Sequence, residues 1–223
     1  IRLSLVGSEM CIRDSLMASG LLNVVGEHMN GLQMAGIANI TASKLNGMQI
    51  ALCNYATQAR GLQIGLVNYY KEDMKGFQLG LVNANPDTRV QMMVYGGNAT
   101  PANIGVRFKN QLFYTILGVG SMYQGLNDKF SASASYRAGL SFPLYKGLSI
   151  SGDLGYQHIE AFDNKDEVIP KRLYALQARA NLEYQFTRKF GIFATGGYGL
   201  TRLYNKSSNY DKGAIIEAGI VLF

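Results

Sequence analysis

Tryptophan is absent from this 223-residue chain, proline occurs four times, and histidine and cysteine occur twice each. That scarcity excludes several kinds of chemistry. His28 and His158 fall in different regions, so no histidine metal site is expected. Two cysteines, Cys11 and Cys53, build neither a disulfide framework nor a thiolate metal site, and no cofactor is implied. Cys53 stands where the next two repeats carry Val67 and Val82, and it reads as a small core residue. No stretch of about 18 apolar residues exists, so no transmembrane helix is indicated. Charged residues make up only 16% of the chain, and the net charge of +6 comes from lysines scattered among turns. A nucleic-acid partner would need those charges gathered on one face with aromatic platforms. Glycine, at 26, and tyrosine, at 14, are plentiful. Together with alternating apolar and small polar residues they point to an all-β chain.

The first organising feature is a repeated word. GLQIGLVN at 61–68 returns as GFQLGLVN at 76–83, with GMQIALCN at 47–54, GLQMAGIAN at 31–39 and a worn copy, LMASGLLN, at 16–23. The closing asparagines fall at 23, 39, 54, 68 and 83, a period of about fifteen. Such a period signals a stacked repeat architecture. Read as one short strand, each word sets Leu62, Ile64 and Leu66 on a bulky face and Gln63, Gly65 and Val67 on a narrow one. Stacking is expected to bury the bulky faces together. Gln33, Gln49, Gln63 and Gln78, with Asn39, Asn54, Asn68 and Asn83, would then form amide ladders along the stack. These positions are architectural on this reading, not catalytic.

Residues 1–15, IRLSLVGSEMCIRDS, match neither the repeat nor the longer strand patterns of the C-terminal region. VGSEMCIRDS resembles the translated read-through of a sequencing adapter, so this segment is set outside the fold. Any export signal is expected upstream of the trimmed chain.

ANPDT at 84–88 ends the repeats, giving a β-repeat module over 16–84 and a second region over 88–223. Here the strands lengthen. LYALQARANLEYQF at 173–186 puts Tyr174, Leu176, Ala178, Ala180, Leu182 and Tyr184 on one face. Gln177, Arg179, Asn181, Glu183 and Gln185 occupy the other. Tyr174 to Tyr184 spans eleven residues, enough for a tilted strand to cross hydrocarbon with aromatics at both interfaces. Residues 130–142 and 148–157 share the same dyad pattern. Strands are expected at 89–97, 102–109, 112–123, 130–143, 148–160, 172–186, 190–203 and 214–223. Their connections alternate between short ones (110–111, 144–147, 187–189) and longer polar ones (GLNDK, AFDNKDEVIPK, YNKSSNYDKG). Such alternation marks an up-and-down outer-membrane barrel with short periplasmic turns. Repeat words of eight residues fall short of a span, which argues against the alternative of a larger, porin-like channel with the words as extra strands.

Residues 88–223 thus resemble a small OmpA-like eight-stranded outer-membrane barrel. The words over 16–83 resemble GLQIGLVN-type surface repeats of uncharacterised Gram-negative envelope proteins. The resemblance implies an outer-membrane location, with outer-membrane lipid and, during insertion, the barrel-assembly machinery as partners; it implies no ligand. Turning Phe223 outward would aim Glu217 at lipid, so the opposite phase is expected, with Phe223 inward. The lumen then receives Arg107, Arg137, Asp153, Arg179, Glu183 and Glu217, three charges of each sign. An eight-stranded barrel leaves room only for side chains, so these should pair and plug it.

Catalytic signals are thin. His158 and Glu160 share a face near the outer end of the fifth barrel strand and evoke the His–Ser–acid sets of lipid-modifying barrels, but no serine nucleophile can be attached to them. GGYGLT and GVGSMYQG echo phosphate loops yet lie inside strand patterns with no following helix. No catalytic residue is expected, and the chain reads as a non-enzymatic structural or surface-interaction protein.

Overall fold

The structure is a computed structural model that describes residues 2–9, 13–121, 123, 130–162, 172–204 and 209–223. Every described element is a strand or turn. The chain separates into two compact units, residues 1–88 and 89–223.

The first unit is a stack of parallel strands: β1 (Arg2–Glu9), β2 (Arg13–Val25), β3 (His28–Ala35), β4 (Ala38–Ile50), β5 (Cys53–Ile64), β6 (Val67–Leu79) and β7 (Val82–Ala84). Register follows the repeat. Asn39 pairs with Asn54, Asn54 with Asn68 and Asn68 with Asn83, while Gln33, Gln49, Gln63 and Gln78 stack in a second row. The segment set outside the fold by its sequence is here a strand: β1 pairs in parallel with β2. An open parallel edge offers unpaired N–H and C=O groups that any adjacent extended segment satisfies.

Two expectations about the words are corrected. A word is not one strand. The chain bends at 51–52, 65–66 and 80–81, so GLQI ends one strand and VN starts the next. A Cβ at Gly65 would lie 2.3 Å from the Ala51 carbonyl oxygen, and the corner needs that close approach. Nor are the bulky faces buried. Gln33, Gln49 and Gln63 are fully buried, whereas Leu66 is 49% and Phe77 75% exposed. Val67 turns outward because the corner shifts the alternation, and Cys53 in the same row is exposed, not a core residue.

The inversion has a physical cause. The asparagine that opens a strand donates to the carbonyl that ends it: Asn54 Nδ2 to Ile64 O at 2.7 Å and Asn39 Nδ2 to Ile50 O at 2.9 Å. A buried amide left without partners is costly, and the inside of the coil offers the asparagines these carbonyls as acceptors. Once inside, the amides saturate one another. Gln49 donates to Gln33, Gln63 to Gln49 and Gln78 to Gln63, each at 2.8 Å. The asparagine row runs the other way, each Nδ2 donating to the next Oδ1 at 2.9–3.0 Å. The two bond chains therefore oppose their dipoles. Met17 sits above Gln33 in register, and Gln33 Nε2 is left without a bond there. Small and flexible apolar residues (Met29, Leu45, Ala56, Ala59) fill the rest. The four full words open on glycines (Gly31, Gly47, Gly61, Gly76) at φ between 124° and 147°, and a Cβ at Gly61 would lie 2.0 Å from Gly47 O.

The second unit is a closed antiparallel barrel: β8 (Arg89–Gly97), β9 (Ala102–Asn110), β10 (Phe113–Ser121), β11 (Ser131–Tyr145), β12 (Leu148–Ala161), β13 (Arg172–Thr187), β14 (Phe190–Leu203) and β15 (Asn209–Leu222). It closes through β15 and β8, with Val221 opposite Met93. The repeat strands take no part in this wall, which removes the enlarged-channel arrangement. Two-residue turns lie at 111–112, 146–147 and 188–189. Of the longer connections, GLNDK and residues 163–171 lie outside the described residues. YNKSSNYDKG is only partly a loop: Asn209 and Asp211 pair with Arg202 and Thr201 of β14. Past the bilayer a strand no longer needs an apolar face, so its sequence looks like a loop.

The exterior carries Val90, Ile104, Leu140, Leu154, Leu176 and Ile216, all exposed. The inner face is polar and buried, so the unit is a membrane-spanning β-barrel. Phe223 turns inward against Met93, Tyr95 and Val221.

Replacing Gln63 by leucine strands Gln49 Oε1 and Gln78 Nε2, each at about 1–3 kcal/mol. Gln63→Leu is expected to lower protease resistance and thermal stability well below those of Lys71→Leu; equal effects would count against a stabilising ladder.

Candidate functional site

The barrel interior concentrates the charged chemistry. Alternation along the strands brings Arg107, Arg137, Asp153, Arg179, Glu183 and Glu217 to the inner face, each no more than 8% exposed. They form two groups. Arg107 holds Glu183 in a fork, Nη1 to Oε2 at 2.6 Å and Nη2 to Oε1 at 3.0 Å, while its Nε donates to Gln91 at 2.6 Å. Arg137 grips Asp153 through Nε at 2.8 Å and Nη2 at 2.7 Å. Arg179 donates to both Glu217 oxygens at 3.1 and 3.0 Å. Arg137 Nη1 lies 3.6 Å from Glu217 and ties these last two pairs together.

Bidentate geometry matters because ions buried without it lose more in desolvation than they regain. Neutral groups saturate the remaining lone pairs. Tyr114 and Asn181 each donate to Asp153 at 2.8 Å, and Thr195 donates to Asn181 Oδ1 at 2.6 Å. The Arg107 guanidinium stands 5.8 Å from the Tyr114 ring centre, and Arg137 stands 5.8 Å from that of Tyr95, within cation–π range. Sequence reading did not single out Tyr114, Tyr95, Gln91 or Thr195. Gln91 lies in register with Arg107 and Thr195 with Glu217, whereas Tyr114 and Tyr95 are in register with no arginine and reach one only in the closed barrel.

The network fills the middle of the barrel. Among the described residues, the cavity between Met93, Arg107, Tyr114, Glu183 and Phe193 holds about 10 Å³, the lower bound for a single water. Larger cavities of about 500 Å³ lie towards the ends, one bordered by Tyr123, Gln177 and Thr201, the other by Arg89, Lys109, Gln185 and Phe223.

His158 sits elsewhere, on the outward face at the long-connection end. Its Nδ1 is 2.8 Å from the Tyr204 hydroxyl and its Nε2 3.4 Å from Glu160, which also accepts from Arg172 at 3.1 Å. Tyr204 bonds Tyr156 and packs 5.2 Å from Tyr174, centre to centre. None of these partners is a serine. The cluster has the composition of an interfacial aromatic belt. Among the described residues no group of histidine, cysteine and carboxylate side chains could hold a metal.

No protein-family model matches the chain, and no curated protein matches it. Solved structures similar to it include the N-terminal barrel domain of Pseudomonas aeruginosa OprF, at 16% identity and TM-score 0.39, covering 60% of this chain and 93% of that one. Neisserial surface protein A is similar at 8% identity and TM-score 0.38, covering 60% and 92%. The Yersinia pestis outer membrane protein Ail is similar at 16% identity and TM-score 0.38, covering 61% and 99%. The membrane-barrel architecture itself rests on strand closure and on the apolar exterior described above.

Arg179→Ala leaves Glu217 buried with a single, more distant cation, a loss of about 3–5 kcal/mol for a broken buried pair. We expect a lower unfolding temperature in detergent, partly restored by adding Glu217→Gln. An unchanged melting profile for Arg179→Ala would contradict a stabilising network.

Proposed function

We propose that this is a non-enzymatic protein of the Gram-negative outer membrane, in which a closed barrel anchors a β-repeat module at the envelope. One observation carries the reading: an apolar exterior encloses a lumen filled by mutually paired charges. A conducting pore needs a continuous aqueous path, and Arg107 bonded to Glu183 across the lumen stands in its way. Acyl or phosphoryl chemistry on lipids would need an activated nucleophile; His158 instead bonds a tyrosine and a carboxylate. The resemblance of the words to surface repeats supports an envelope role for the module. On this reading the partners are outer-membrane lipid and, during insertion, the barrel-assembly machinery. Short turns face the periplasm and long connections face outward.

Two measurements test this. In planar bilayers the purified protein should show no steady conductance; stable open channels would overturn the closed anchor. On intact cells, a protease-cleavable tag inserted at Asn164 or Ser208 should be cut and one at Arg188 should survive. Cleavage at all three would reject the orientation.

A further inference from the structure

The repeat stack is amphipathic about its own long axis. Register alignment places Leu52, Leu66 and Leu81 at successive corners, with Leu21 and Ile37 at the equivalent points of earlier coils. All five are at least 38% exposed. Beside them runs an outward row of Met34, Ile50, Ile64 and Leu79, and Phe77, two residues before Leu79 on β6, is 75% exposed on the same side of the strand. No charged side chain interrupts either row.

Charge is confined to the other corner. Within each coil it falls only between the asparagine and the glycine that opens the next word. Glu27, Lys44, Arg60, Lys71, Glu72, Asp73 and Lys75 are the charged residues of 16–84, and all lie in such stretches. That corner is where register shifts break the ladders, between Thr41 and Lys44 and between Ala56 and Gln58. A water-facing surface would not sort its residues in this way over consecutive coils, and a contiguous apolar ridge in water is unfavourable.

We propose that the apolar edge of the repeat module is a lipid-contacting surface, seated in the interfacial region of the bilayer with the charged edge towards water. This rests on the membrane-anchor reading above. Three observations choose lipid over a protein partner. The rows are aliphatic and offer no hydrogen-bond donors or acceptors, whereas a specific protein interface carries about one hydrogen bond per 100–200 Å². The backbone beneath them is paired coil to coil, which is the condition for facing hydrocarbon. Only residues 85–88 separate β7 from the first barrel strand, so the module is tethered to a bilayer. Sorting of apolar and charged edges is also what holds amphipathic elements in a membrane surface. Tyr55 and Tyr69, stacked at 5.7 Å and 7°, flank the apolar rows as interfacial aromatics do.

The test places a polarity-sensitive fluorophore on single cysteines in the full chain, with Cys11 and Cys53 changed to serine. The protein is refolded into vesicles of phosphatidylethanolamine and phosphatidylglycerol containing doxyl-labelled lipid. Leu66→Cys and Phe77→Cys report the apolar edge, Arg60→Cys the charged edge and Leu154→Cys the barrel exterior. We expect blue-shifted emission and strong lipid quenching at 66, 77 and 154, with water-like, unquenched emission at 60. Quenching at 154 but not at 66 or 77 overturns this proposal and leaves the barrel anchor standing. Sites 66 and 77 shielded from iodide yet unquenched by lipid would replace lipid with a second copy of the chain. Absence of quenching at all four sites would reject both readings.

Discussion

A polar group taken out of water must find a partner, and the structure depends on how that demand is met. In both units the polar side chains turn inward and satisfy one another, and the apolar side chains are displaced outward. The repeat coils do this with neutral amides. Gln49, Gln63 and Gln78, and likewise Asn23, Asn39, Asn54 and Asn68, each donate to the same residue of a neighbouring coil, so a single residue type per position suffices and the word must be repeated. The barrel does it with ions. Its closure brings strands distant in sequence face to face, so Arg107 of β9 meets Glu183 of β13 across the lumen, while Arg179 of β13 reaches over β14 to Glu217 of β15.

The choice between amides and ions is set by space and symmetry. In a stack of identical coils, like residues face like residues. A ladder of charges would repel itself, whereas an amide carries both a donor and an acceptor and repeats without conflict. In a barrel, facing positions come from different strands and can hold opposite charges. Guanidinium forks then fix their carboxylates in one geometry.

Much of the barrel was legible because its constraint is local. A membrane strand shows period-two alternation along its own length, and strand boundaries fell close to those observed wherever both faces were distinct. The exception, Asn209 to Gly213, extends beyond the apolar band and lost its pattern there. The repeat stack was legible in period but not in polarity. Alternation within GLQIGLVN separates Leu62 from Gln63, yet it is symmetric as to which face lies inside. The corner at Gly65 then resets the phase and sends Val67 outward beside Leu66. The habit of burying leucine gave the wrong sign; the mutual pairing of the amides from coil to coil decides it. In the lumen, the charged residues were visible on one face, but their partners depend on closure and register. So do Tyr114 and Thr195, whose neutral bonds complete the network.

The central claim is that paired polar interiors hold this chain together. A double-mutant cycle on Arg107 and Glu183, with each changed to alanine singly and together, tests it most directly through equilibrium unfolding in lipid vesicles. The account predicts that the double variant loses less than the two single variants combined, with a coupling of about 2–3 kcal/mol. Additive losses, within about 0.5 kcal/mol, would show that the two residues do not act as a pair and would contradict it.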